Sequence, residues 1–156
     1  MRKLLLLCAC MVLLSLGAFA QTGEAYIGFS NFTWGKNGWN GDLGYNLAKN
    51  IQVEGDFGGY YSHNNSIHSF MGGVKAQATR RRRGFEPWGH FLIGGSHVSR
   101  LNESSDTALS WALGGGIDTN VFHKVGLRLS ADAVHTNFND SGDLHLRLGA
   151  GFLYRF

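Results

Sequence analysis

His97-Val98-Ser99 sets a base and a hydroxyl nucleophile, in this 156-residue sequence, at a spacing that suits covalent chemistry. If the segment is extended, residues two apart share a face. A nucleophilic serine also needs an orienting group behind its base. Glu103, the nearest acid, falls in a connection and shows no partnership, so only half of such a site is legible; a polar strand end explains the same residues without chemistry. The seven histidines (63, 68, 90, 97, 123, 135 and 145) show no ligand spacing with carboxylates or cysteines, so no metal or other cofactor is expected. Arg80-Arg81-Arg82-Arg83 is the densest charge run. Guanidinium groups bind phosphate bidentately, but an exposed basic turn that keeps water is the simpler reading.

The remaining charges sit inside a two-residue alternation. From Leu144 to Phe156 every second residue is apolar: Leu144, Leu146, Leu148, Ala150, Phe152, Tyr154 and Phe156. Between them stand Asp143, His145, Arg147, Gly149, Gly151, Leu153 and Arg155. Val125, Leu127, Leu129, Ala131 and Ala133 alternate with Gly126, Arg128, Ser130, Asp132, Val134 and Thr136. Leu109, Trp111, Leu113 and Ile117 alternate with small residues and Asp118. Ile51, Val53, Phe57 and Tyr61 alternate with Gln52, Glu54, Asp56 and Tyr60. Each is a strand with one greasy face and one polar or small face.

The positioning elements follow. Eight strands are expected, at about 24–34, 38–47, 51–62, 66–79, 88–99, 106–119, 124–137 and 143–156, joined by short connections rich in Gly, Asn, Asp and Ser. Nearest-neighbour hairpins throughout imply an up-and-down meander, and an even strand count leaves both ends of the chain on one side. The first and fifth strands show no single-sided pattern.

Two inferred hairpins match acid with base on the non-greasy face. A turn near Asn139–Asp140 sets Asp132 opposite Arg147. A turn near Asn64–Asn65 sets Glu54 opposite Lys75. Arg128 falls one alternation from Asp132 and diagonal to Asp118. An interior polar network of Asp42, Glu54, Asp56, Lys75, Asp118, Arg128, Asp132 and Arg147 is expected, with glycine and alanine filling the other inward positions. An Arg facing lipid at mid-bilayer costs about 2–4 kcal/mol, which a paired inward Arg avoids. The charges therefore belong inside and the greasy face outside. The opposite arrangement, a soluble carrier with a greasy cavity, would show more exterior charge than the 16% found here. Trp34, Trp39 and Trp111 fall toward one end of the strands, and Tyr26, Phe122, Tyr154 and Phe156 toward the other, as two interfacial aromatic belts would.

Arg2 and Lys3, an apolar run from Leu4 to Leu16, and Ala18-Phe19-Ala20 have the form of a signal peptide over residues 1–20, too short to span a bilayer. Its removal takes away Cys8 and Cys10, both cysteines of the chain, and leaves residues 21–156 as one domain with twelve basic and eleven acidic residues. Export and that balance exclude a nucleic-acid partner.

The stretch Leu113-Gly114-Gly115-Gly116-Ile117-Asp118, the strand Val125–Thr136 with Arg128 and Asp132, and the ending Leu146-Arg147-Leu148-Gly149-Ala150-Gly151-Phe152-Leu153-Tyr154-Arg155-Phe156 resemble the small outer-membrane barrel proteins, similar to the OmpA transmembrane domain and OmpX. The resemblance covers most of residues 21–156 and is specific mainly after residue 85. It implies an all-β fold, an eight-stranded antiparallel up-and-down transmembrane β-barrel in the bacterial outer membrane with periplasmic termini. It implies contact with outer-membrane lipids and lipopolysaccharide. It also implies that Phe152, Tyr154 and Phe156 form the ending read by the barrel-assembly machinery. The function expected is a non-enzymatic, porin-like or structural envelope protein, a monomer with a largely plugged polar interior. Lipid A deacylases of the same barrel type use a His-x-Ser pair, so His97 and Ser99 carry an enzymatic alternative. A soluble lipocalin-like carrier is the other.

Overall fold

The computed structural model describes residues 23–32, 35–63, 65–78, 84–100, 105–138 and 141–156, without the side chains of Arg100, Phe138 and Ser141. The signal-peptide expectation, Trp34, Arg80 to Arg83, Glu103 and the Asn139–Asp140 turn lie outside those residues. Eight strands follow in order: β1 (Gly23–Phe32), β2 (Lys36–Ala48), β3 (Ile51–Tyr61), β4 (Asn65–Gln77), β5 (Phe85–Arg100), β6 (Asp106–Asn120), β7 (Val125–Phe138) and β8 (Ser141–Arg155). Each pairs antiparallel with the next, and β1 pairs with β8, closing the sheet into a barrel without a free edge. Closure completes the backbone ladder, so Gly23 and Phe156 exchange hydrogen bonds in both directions. Positive φ angles of 73° at Gly35 and Gly84 fall in two of the connections, where a side chain would be strained.

The alternation sorts the two faces. Ile27, Phe29, Leu43, Phe70, Phe91, Ile93, Leu109, Leu113, Leu129 and Phe152 are exposed on the outside. Arg128, Arg147 and Lys75 are buried inside, none more than 1% exposed. The barrel is inside-out relative to a water-soluble one. Among the described residues no helix is long and apolar enough to cross a membrane; any crossing would be made by strands.

Several expectations are corrected. β5 begins at Phe85 and runs through Pro87, whose carbonyl accepts a hydrogen bond from Ala78 N at 2.9 Å; the proline joins the ladder as an acceptor, so no break occurs there. The β3–β4 register differs by two residues. Glu54 faces Gly73, and Lys75 faces Gln52, because β4 starts at Asn65, whose carbonyl is bonded by Ser62 N. A two-residue slip keeps every side chain on its face, whereas one residue would turn them all over. Arg128 stands directly opposite Asp118, not diagonal to it. Tyr26 is buried inside the barrel and does not belong to the lower aromatic belt.

The inward positions are also not filled by glycine and alanine alone. Phe32, Tyr60, Ile67, Met71, Leu92, Val98, Ala112 and Val134 form one apolar cluster in the half of the barrel away from the termini. β1 and β5 send large apolar residues inward as well as outward, which is why they showed no one-sided pattern.

Candidate functional site: the charged interior

In the half nearer the termini the inward positions of all eight strands carry polar groups, and these groups meet. β7 supplies Arg128. Its Nε and Nη2 donate to the two carboxylate oxygens of Asp118 at 2.8 Å each, its Nη1 donates to Asp42 at 2.8 Å, and its Nη2 also reaches Glu24. The guanidinium lies 4.8 Å from the Trp88 ring and 5.2 Å from that of Tyr26. Arg128 therefore ties β7 to β6, β2 and β1 at once.

Glu24 passes the chain to Lys75 on β4 through a direct bond, and Lys75 Nζ lies 3.9 Å from Glu54 Oε2. His90 on β5 bridges the next two acids. Its Nδ1 is 3.0 Å from Glu54 and its Nε2 3.0 Å from Asp132. Asp132 accepts from Arg147 Nε at 2.8 Å, and Arg147 Nη1 donates to Asp56 at 2.7 Å and to the Tyr60 hydroxyl at 3.3 Å. Near the chain ends, Arg155 Nη2 donates to Glu86 at 2.6 Å and lies 3.4 Å from Asp118. Asp118 is shared, so the whole set is one connected web.

The web brings together all eight residues expected to form it: Asp42, Glu54, Asp56, Lys75, Asp118, Arg128, Asp132 and Arg147. It also contains Glu24, Glu86, His90, Trp88, Tyr60 and Arg155, which the sequence reasoning missed. The signal that would have found Glu24 and Arg155 is barrel closure, since the two are direct partners across the β1–β8 seam.

Backbone approach permits the density. A Cβ on Gly114 would stand 2.7 Å from the Ala131 carbonyl oxygen and would run into the Asp132 carboxylate opposite. Isolated buried ions cost several kcal/mol each, and only close partners offset that. Here each guanidinium touches two or more carboxylates. Above the web, Ser110 Oγ lies 2.8 Å from Ser96 Oγ and 3.2 Å from Thr136 Oγ1. Beside this trio is a pocket lined by Phe32, Tyr60, Met71 and His145, with room for about one water. Among the described residues no group of three or more His, Cys, Asp or Glu could hold a metal ion.

His97 and Ser99 lie outside this interior. Both are on the outward face of β5 near its upper end, and His97 Nδ1 is 2.9 Å from Thr107 Oγ1. Phe152, Tyr154 and Phe156 also face outward; they are 65%, 47% and 37% exposed.

No family model matches the sequence, and no curated protein matches it. Solved structures do match. The N-terminal β-barrel domain of Pseudomonas aeruginosa OprF is similar at 14% identity and a TM-score of 0.67, over 86% of this chain and 98% of that one. Neisserial surface protein A is similar at 13% identity and 0.66, over 86% and 95%. The Yersinia pestis outer-membrane protein Ail, in a phospholipid bilayer nanodisc, is similar at 17% identity and 0.54, over 87% and 99%. The outer-membrane enzyme PagL matches at 10% identity and 0.53. At such identities the likeness is one of architecture, and it is specific: this chain has the fold of the small eight-stranded outer-membrane β-barrels.

Proposed function

We propose that this protein is a non-enzymatic outer-membrane β-barrel, a structural or porin-like envelope protein whose interior is plugged by its own side chains. The observation that carries the reading is the pairing of faces. Arg128 and Arg147 are buried and multiply ion-paired inside, while leucine, isoleucine and phenylalanine line the outside. Water would penalise that exterior, and lipid would not. An eight-stranded interior has room for side chains rather than a channel, and open pores come with about 16–18 strands. Residues 1–20 act as the export signal, the termini face the periplasm, and the chain works as a monomer. Phe152, Tyr154 and Phe156 are the ending recognised by the barrel-assembly machinery. Lipids and lipopolysaccharide surround the exterior.

The mobility of the mature protein in SDS, unheated against boiled, tests the reading. A closed membrane barrel stays folded unheated and shifts on boiling. An unshifted protein recovered from the soluble periplasm would sink it.

The enzymatic alternative has one observation behind it. His97 and Ser99 share an outward face, and the PagL fold shows that such a barrel can carry catalysis. Against it, the His97 ring is oriented by a threonine hydroxyl. A hydroxyl stabilises an imidazolium less than a carboxylate does. Unchanged lipid A acylation in cells carrying His97→Ala or Ser99→Ala would remove this alternative.

A further inference from the structure

Among the described residues the outward strand faces hold no Asp, Glu, Lys or Arg. Their nitrogen donors beyond the backbone are few, and His68 and His97 sit side by side. They are direct partners across β4 and β5, and the next outward pair toward the upper end is Ser66 with Ser99. Thr107 stands opposite His97 on β6, and Tyr61 stands opposite Ser66 on β3. The Tyr61 ring meets the His68 ring edge-on at 5.8 Å. Six neighbouring residues on four strands thus turn hydrogen-bonding groups outward, with no carboxylate among them. Ser99 and Thr107 are exposed; His68 and His97 are half-buried.

Height fixes what this patch meets. Gly59 is the common partner of Trp39 and His68, so the two histidines lie on one cross-strand row with an exposed tryptophan, toward the upper strand ends. Tryptophan on a membrane protein settles at the headgroup layer. Below it lie Phe70, Phe91 and Ile93, which belong to acyl chains. Along β4 and β5 the outward positions thus change from these apolar residues to histidine and serine, which puts the patch at the edge of the apolar band, at headgroup depth, where the commonest acceptor is a phosphate. An imidazole offers an N–H in either protonation state, and hydroxyls donate as well. Phosphate oxygens accept such bonds strongly.

Resting on the membrane reading above, we propose that His68, His97, Ser66 and Ser99, flanked by Tyr61 and Thr107, form a binding site for the phosphate headgroup of a membrane lipid. The acyl chains of that lipid lie along Phe70, Phe91 and Ile93. The patch positions lipid and does not cleave it.

The test is native mass spectrometry of the full mature protein in a non-ionic detergent with phosphatidic acid, a phosphomonoester lipid. Wild type is compared with His68→Gln/His97→Gln, with Ser66→Ala/Ser99→Ala, and with His135→Ala, an outward histidine on β7. Wild type and His135→Ala should hold one lipid at least tenfold more tightly than either double variant. Inorganic phosphate at equal concentration should not displace it. Equal binding by all four proteins would overturn the site, and so would displacement by inorganic phosphate. Release of a lysolipid would replace positioning with catalysis. The heat shift in SDS, read on the same samples, separates failure of the site from failure of the barrel reading.

Discussion

Arg128 shows at the scale of one residue why this interior holds together. Three carboxylates and two aromatic rings surround one guanidinium, and its planar fork lets it serve several partners together. Removing it leaves Asp118, Asp42 and Glu24 facing each other in a water-poor space. Arg128→Met should therefore cost about 3–5 kcal/mol, the usual penalty for breaking a buried pair from one side, measured by urea unfolding in detergent or vesicles. Asp132 and Arg147 offer a finer measurement. Each single alanine should destabilise, and the double variant should lose less than the sum by about 0.5–3 kcal/mol, because both singles remove the same bond. Additive losses would mean the two side chains do not meet. Asp132 and Arg147 were legible in advance because they stand on strands with clean alternation, either side of a short turn. Glu24, His90 and Glu86 were not. Their strands place Ile27 and Phe29, or Phe91 and Ile93, outward, and Phe32 or Leu92 inward, so hydrophobicity does not mark the inner face.

At the scale of the element, register carries the information that composition lacks. The β3–β4 turn is centred one residue earlier than Asn64–Asn65 suggests, which slips the register by two, and inner and outer faces survive that slip unchanged. The difference is in partnership: Lys75 bonds to Glu24 across the barrel, and Glu54 is a more distant neighbour at 3.9 Å. A pair of double-mutant cycles reads this directly. Lys75→Met with Glu24→Gln should show the larger coupling, and Lys75→Met with Glu54→Gln the smaller. The reverse order would restore the pairing expected from sequence. The alternation, the strand count and the meander were readable because they need only a period of two. The tie from β4 to β1 was hidden because it crosses the barrel between strands that are not hydrogen-bonded neighbours, and no local pattern encodes that.

For the molecule as a whole, two layers fill the barrel in series, a charged web near the termini and the apolar cluster of Phe32, Tyr60, Ile67, Met71, Leu92, Val98, Ala112 and Val134 beyond it. An ion entering from the lower end would find each carboxylate of the web already held by a basic side chain. One entering from above would meet a constriction lined mainly by apolar side chains, where the loss of hydration is the barrier. The upper layer should thus limit conduction more than the lower one does. Leu92, fully buried in that layer, is the residue to change. Leu92→Ser and Met71→Ser together remove two apolar side chains and admit water without touching an ion pair. In planar bilayers the parent should give no resolvable current steps. The double serine variant should give small ones, while Arg147→Ala alone, which leaves the apolar layer in place, should give none. Currents from Arg147→Ala with silence from the serine variant would move the barrier into the charged web and make the ion pairs, rather than the apolar layer, the closure of the barrel.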